Sequence, residues 1–336
     1  MVTGVPDDST KADIDQTYEA IDPGAASTYD VIDPTYGYTV PRLAEVGAPR
    51  PPADFADFWT GLRARTLLVD TAPTQRPTDN PAVRDVEFTS LDGVRLGGWL
   101  TLPPDGRVER GLVVGHGYGG RAAPDDAVPV DRAAVLYFCS RGLPERGRHA
   151  GIPDSSDRHV LHGIDSPETY VHGGCAADLW CAVTALSGLV PQVRARIDYV
   201  GGSFGGGIGA LALPWEDRVS AACLVVPSFG NHPLRLTLPC TGSGESVRRY
   251  ARSHPGVVDV LRYFDAATAA TMLRIPVHIG LARADPAVPP PGQFAVYNAL
   301  AGPKEQFLLA AGHMEYRGMA DEEHALLRAQ RKFLES

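Results

Sequence analysis

The pentapeptide Gly201-Gly202-Ser203-Phe204-Gly205 stands directly between the apolar run Ile197-Asp198-Tyr199-Val200 and the small, apolar stretch Gly206 to Leu213. A G-x-S-x-G pattern in that setting demands a strand that turns sharply into a helix, with small residues beside the serine and its hydroxyl exposed above a sheet. The chain has 36 glycines, so the string by itself arises readily by chance. Its position between strand and helix carries the argument.

The rest of the chain supplies the sheet that such an elbow needs. Val83 to Thr89 and Val94 to Leu102 flank Leu91-Asp92-Gly93, and Asp-Gly between alternating apolar segments predicts an antiparallel hairpin. Gly111 to Val114, Ala133 to Phe138, Ile197 to Val200, Ala221 to Val226, Ile275 to Leu281 and Gln306 to Ala310 are short apolar runs, the pattern of strands covered on both faces. Helices are predicted over Tyr170 to Leu186, Gly206 to Leu213, Pro290 to Leu300 and Asp321 to Leu334, and an amphipathic first helix over Phe55, Phe58, Trp59 and Leu62. The alternation predicts an α/β fold with a mostly parallel eight-stranded sheet flanked by helices. Two stretches break it. Residues 143–167 and 228–263 are expected to form cap-like loops over a site, and residues 1–38, acidic and polar, are expected to be an extension of the domain at 39–336.

Composition narrows the functions open to the chain. The net charge of −9, with no Lys/Arg-rich run, argues against a nucleic-acid partner. The start lacks a basic n-region and an apolar h-region, and nowhere do about 18 apolar residues run together, so no membrane partner is expected and the protein is read as soluble and cytoplasmic. Five cysteines in mostly apolar surroundings, with no C-x-x-C pair, read as reduced core residues. His149, His159, His162 and His172 match no common ligand spacing, and neither metal nor cofactor is expected.

A serine hydroxyl needs a base to take its proton and an acid to orient that base, and in α/β-hydrolases they follow in the order Ser, Asp/Glu, His. Asp285 follows the strand at Ile275 to Leu281, and His313 follows the last strand. Taken singly, Asp285 also fits a turn or helix cap, and His313 a surface loop. Order and placement together make Ser203, Asp285 and His313 the candidate triad. Oxyanion donors are expected at the backbone amides of Phe204 and of Tyr118, in Gly115-His116-Gly117-Tyr118-Gly119-Gly120. A dinucleotide loop would open a helix, and Arg121-Ala122-Ala123-Pro124 opens one poorly. Arg141 reads as half of a structural ion pair, and His116 as a packed loop residue. Pro227 and Phe229, after the next strand, are candidates to limit the acyl pocket, with ordinary loop packing as the alternative.

Further matches in the same order extend the pattern: Ala53-Asp54-Phe55-Ala56-Asp57-Phe58-Trp59, Gly98-Trp99-Leu100, Gly117-Tyr118-Gly119-Gly120-Arg121, Arg141-Gly142, Gly163-Ile164, Pro167-Glu168-Thr169-Tyr170, Gly201 to Gly207 and Tyr297-Asn298-Ala299-Leu300-Ala301-Gly302-Pro303. The series resembles the acetyl xylan esterase and cephalosporin C deacetylase family, carbohydrate esterase family seven. The resemblance implies an α/β-hydrolase that removes small acyl groups, chiefly acetyl, without a metal. It implies the nucleophile at Ser203, the acid at Asp285, the base at His313 and oxyanion amides at Tyr118 and Phe204. It also implies a homo-oligomer, a ring-like hexamer. Three positions depart from the family's pattern: Leu143 stands for a Gln, Phe204 for a Gln, and Met314 for a Glu. Each replaces a polar side chain with an apolar one. With Pro227 and Phe229, Leu143 and Met314 are therefore expected to give the substrate pocket an apolar rim.

The sequence thus predicts a serine esterase that deacylates a small hydroxylated molecule or sugar. An acyltransferase or a tailoring esterase acting on a secondary metabolite would use the same triad, and a non-catalytic protein could keep the same fold.

Overall fold

Six consecutive strands pair in parallel and make the larger part of the sheet, and all of them but the last, at the sheet edge, are mostly buried. The computed structural model describes residues 32–336. Its strands are β1 (Thr74–Pro77), β2 (Val83–Thr89), β3 (Arg95–Thr101), β4 (Arg110–Val114), β5 (Ala133–Phe138), β6 (Ile197–Gly202), β7 (Val219–Val225), β8 (Val277–Ala282) and β9 (Lys304–Leu309). They form one sheet in the order β1-β2-β3-β5-β4-β6-β7-β8-β9. The pairs from β5 through β9 are parallel, and those of β1 with β2, β2 with β3 and β3 with β5 are antiparallel. Every residue of β5 and β8 is buried, as helices on both sheet faces require.

The sheet has nine strands where the sequence predicts eight. The additional strand, β1, is the edge strand Thr-Gln-Arg-Pro, exposed at all of its positions. It carries no apolar alternation, and a proline with no N–H to donate is tolerated only at such an edge.

The helix Phe55–Leu67 is pinned by its aromatic face. Trp59 is fully buried, stacks on Trp215 at 5.3 Å between centroids, and donates from Nε1 to the Tyr263 carbonyl at 2.8 Å. Burial of such a ring stabilises by roughly 3 kcal/mol or a little more. Because the indole N–H finds a partner, no desolvation penalty offsets that gain. The helix Val171–Leu189 is almost wholly buried, and its Asp178 is held by Arg141 with Nε–Oδ1 at 3.0 Å and Nη2–Oδ1 at 2.7 Å. Arg141 also donates to the Leu91 carbonyl at 3.1 Å, so this buried pair ties a helix to the β2–β3 turn. It is the structural ion pair expected of Arg141.

The five cysteines are free and buried. Among the described residues no helix is long and apolar enough to cross a membrane.

Residues 1–31 of the expected extension lie outside the described residues. Residues 32–38 are joined to the domain, since the Asp285 N–H donates to the Pro34 carbonyl at 2.8 Å and the Tyr36 hydroxyl to that of Pro286 at 3.4 Å. Residues 228–263 hold the helices His232–Arg235, Gly242–Ser253 and Val257–Tyr263, and residues 143–167 hold the short helix Ser156–His159.

Candidate active site

The strand β6 ends at Gly202, and the helix Phe204–Ala212 begins two residues later, so Ser203 alone makes the turn. Its backbone sits at φ 53° and ψ −115°, a region that L-residues avoid unless the surroundings impose it. Three hydrogen bonds impose it here. The Ser203 N–H donates to the Val225 carbonyl at 2.8 Å, and the Ser203 carbonyl accepts from Gly207 at 2.9 Å and Ser228 at 3.1 Å. The turn also presses the helix start onto the loop after β4. A Cβ at Gly205 would stand 2.9 Å from the His116 carbonyl oxygen, so only glycine fits.

The loops after β8 and β9 bring two further side chains to this elbow. Ser203 Oγ lies 2.9 Å from His313 Nε2, and His313 Nδ1 lies 2.8 Å from Asp285 Oδ2. With Nδ1–H donating to the carboxylate, Nε2 is left to accept from the serine hydroxyl. Asp285 is fully buried, and its other contacts fix it: Oδ1 accepts from the N–H groups of Ala287 and Val288, both at 2.9 Å, and Oδ2 accepts from Gln293 Nε2 at 3.1 Å. His313 also has a left-handed backbone, φ 50°, and its side chain stays 29% exposed. Burial pulls its pKa down, but the hydrogen bond and charge of Asp285 outweigh that and hold it above 6.5.

The two expected oxyanion donors lie beside the serine. Phe204 is the first residue of the helix, where an N–H has no intrahelical acceptor, and Tyr118 lines the same cavity as Ser203. The Tyr118 ring packs on Phe204 at 4.5 Å, and its hydroxyl meets His172 Nε2 at 2.9 Å. His116 is a packed loop residue, as expected: Nδ1 meets the Gly117 carbonyl at 2.7 Å and Nε2 accepts from the Ser140 N–H at 3.0 Å. Burial lowers its pKa to about 4.

Ser203 and His313 open on a cavity of about 290 Å³. A separate cavity of about 370 Å³, beside Arg141 and His162, contains none of the three.

The residues expected to give the cavity an apolar rim lie elsewhere. Leu143 is fully buried in the core, Phe204 is 1% exposed, and Phe229 packs its ring on His172 at 4.3 Å. None of Leu143, Pro227, Phe229 or Met314 lines the cavity. The swap of Gln for Phe at 204 feeds an aromatic cluster beneath the floor. The cavity is lined by Ser156, Ser228, Arg235, Thr241 and Ser243 together with Ala287, Val288 and loop glycines. The serines, Arg235 and Thr241 come from the two segments that interrupt the strand–helix alternation. Arg235 and Gln293 were missed in the sequence, where nothing in their own neighbourhoods marks them.

The family profile described as acetyl xylan esterase matches residues 45–331. The chain belongs to the acetyl xylan esterase family. It is therefore a carboxylic ester hydrolase of acetylesterase type. The fold agrees with that of the family's solved members. The acetyl xylan esterase from Paenibacillus sp. R4 superposes with a TM-score of 0.74 at 23% identity, over 88% of this chain and 99% of that one. Acetyl xylan esterase 1 from Thermoanaerobacterium sp. JW/SL YS485 gives 0.69 at 20%, over 87% and 99%. The α/β-hydrolase architecture extends to the Pyrococcus horikoshii acylaminoacyl peptidase, with a TM-score of 0.57 at 18% identity, over 78% of this chain and 41% of that one. No curated protein sequence matches the chain.

Proposed function

We propose that the protein is a serine esterase that removes acetyl groups from a small hydroxylated molecule or a sugar through an acyl-enzyme. The observation that carries this reading is the unbroken series Ser203 Oγ, His313 Nε2, His313 Nδ1, Asp285 Oδ2, with contacts of 2.9 and 2.8 Å. As Ser203 Oγ bonds to the ester carbon, its proton passes to His313 Nε2 and the carbonyl electrons move onto oxygen. The N–H groups of Phe204 and Tyr118 receive that oxyanion, each worth about 3 kcal/mol of barrier. Collapse breaks the bond to the alcohol oxygen, which takes the proton from His313. Water then repeats the sequence, releasing acetate and restoring the Ser203 hydroxyl.

A cavity of about 290 Å³ is at the small end for ligand sites and favours a short acyl group. The hydroxyls of Ser156, Ser228, Thr241 and Ser243 in its lining suit an alcohol part that itself bears hydroxyls. The test is hydrolysis of p-nitrophenyl acetate, butyrate and octanoate, with acetate release from an acetylated sugar, by the wild type and by Ser203→Ala. The acetate ester is expected to be hydrolysed fastest, and the variant to lose at least about 10⁴-fold in kcat. Equal rates in the two proteins would sink the mechanism.

A further inference from the structure

Three arginines of the described residues are buried, Arg63, Arg141 and Arg235. Two of them have carboxylates, since Arg63 reaches Glu216 at 3.1 Å and Arg141 reaches Asp178 at 2.7 Å. Arg235 has none among the described residues, although it is only 5% exposed. Among the described residues its guanidinium makes one long hydrogen bond, from Nη1 to the Gly244 carbonyl at 3.4 Å, and its Nε is buried without a partner. The acidic groups near it are already engaged. Glu245 holds Arg248 at 2.6 Å and Arg249 at 2.9 Å, Asp285 holds His313, and Asp265 accepts from the N–H groups of His232, Ala267 and Thr268.

Burying an unpaired guanidinium is strongly unfavourable unless something else completes it. Arg235 lines the same cavity as Ser203 and His313, with Ser156, Thr241 and Ser243 around it. Space for the side chain is also kept clear: a Cβ at Gly244 would fall on Arg235 Nη2, only 1.7 Å away. A fork of N–H donors with its own acceptors missing, opening on the cavity of the nucleophile, is matched by a carboxylate.

We propose that Arg235 is a specificity-determining residue that binds a carboxylate on the alcohol part of the substrate, so that the enzyme acts on acetyl esters of hydroxylated carboxylic acids. The proposal rests on the serine-esterase reading and names the substrate class of that site.

The test compares kcat/KM for 4-acetoxybenzoate with that for neutral 4-acetoxybenzamide, each relative to its uncatalysed rate, in the wild type, Arg235→Met and Arg235→Lys. The wild type is expected to favour the anion by at least about 30-fold, the scale of losing one partner of a buried charge pair. Arg235→Met should bring the ratio to about one, and Arg235→Lys should retain part of it. A wild-type ratio near one, or a ratio unchanged in Arg235→Met, overturns the proposal. Should Arg235→Met fail to fold, inhibition of wild-type p-nitrophenyl acetate hydrolysis decides: benzoate must inhibit more strongly than benzamide, and equal inhibition overturns it. Hydrolysis of both esters without anion preference defeats this inference alone, whereas hydrolysis of no ester defeats the esterase reading with it.

Discussion

Gln293 Nε2 donates to Asp285 Oδ2 at 3.1 Å, while Gln293 Oε1 accepts from the Ala282 N–H at 2.9 Å. One fully buried amide thus joins the end of β8 to the carboxylate that orients His313. Its Nε2 also donates to the Val288 carbonyl at 2.6 Å, so both ends of the amide are used within the Asp285 turn. Gln293→Met would keep most of the volume and strand a buried N–H, a buried carbonyl and one carboxylate lone pair. The expected cost is about 2–4 kcal/mol of stability, with a fall in kcat as Asp285 loses its lateral support. Urea unfolding measured beside p-nitrophenyl acetate kinetics checks it, and a variant equal to wild type in both would remove Gln293 from the site.

The pH profile follows from His313. Its neutral form accepts the serine proton, and its pKa is raised, burial being outweighed by Asp285. Activity should therefore rise with pH through a midpoint above 6.5. Asp285→Asn removes the charge that raises it, so the midpoint should move down while kcat falls by about 10⁴-fold. For stability the sign is opposite. A group whose folded pKa is raised stabilises fully below its unfolded pKa, and that contribution is lost as pH rises through the folded value. The protein should thus be most active where the His313–Asp285 ion pair no longer adds to its stability. A kcat/KM profile with no acid limb above 6.5 would contradict this.

The physical origin of each feature decides how much of it the sequence reveals. The run Ala133 to Phe138 is β5 residue for residue, because a strand buried on both faces is a continuous apolar run. The edge strand β1 has no apolar alternation, and only its register with β2, Thr74 opposite Glu87, makes it a strand. Ser203, Asp285 and His313 are legible because each follows a strand in a fixed chain order. Arg235 and Gln293 are illegible because each acts through a residue far away or through an empty space that only packing creates. The apolar rim fails for a related reason. A position near a catalytic loop does not say which way a side chain faces, and Leu143 and Phe229, like the Phe204 ring, face the core.

That orientation predicts what happens when the family's amide is put back. Phe204 is 1% exposed and its ring meets those of Tyr118 at 4.5 Å, His172 at 6.0 Å and Phe229 at 6.1 Å. Phe204→Gln would remove an aromatic packing partner and place a carboxamide in a buried aromatic cluster, where the Tyr118 hydroxyl is already committed to His172 Nε2. Loss of aromatic burial and desolvation of the amide together are expected to cost about 3–5 kcal/mol. The backbone N–H at position 204 is untouched by the change, so the folded fraction should retain most of its kcat. Thermal unfolding and active-site titration of the variant separate the two effects. A large fall in kcat per titrated site, with the melting temperature unmoved, would show that the ring acts on the reaction and does more than pack beneath it.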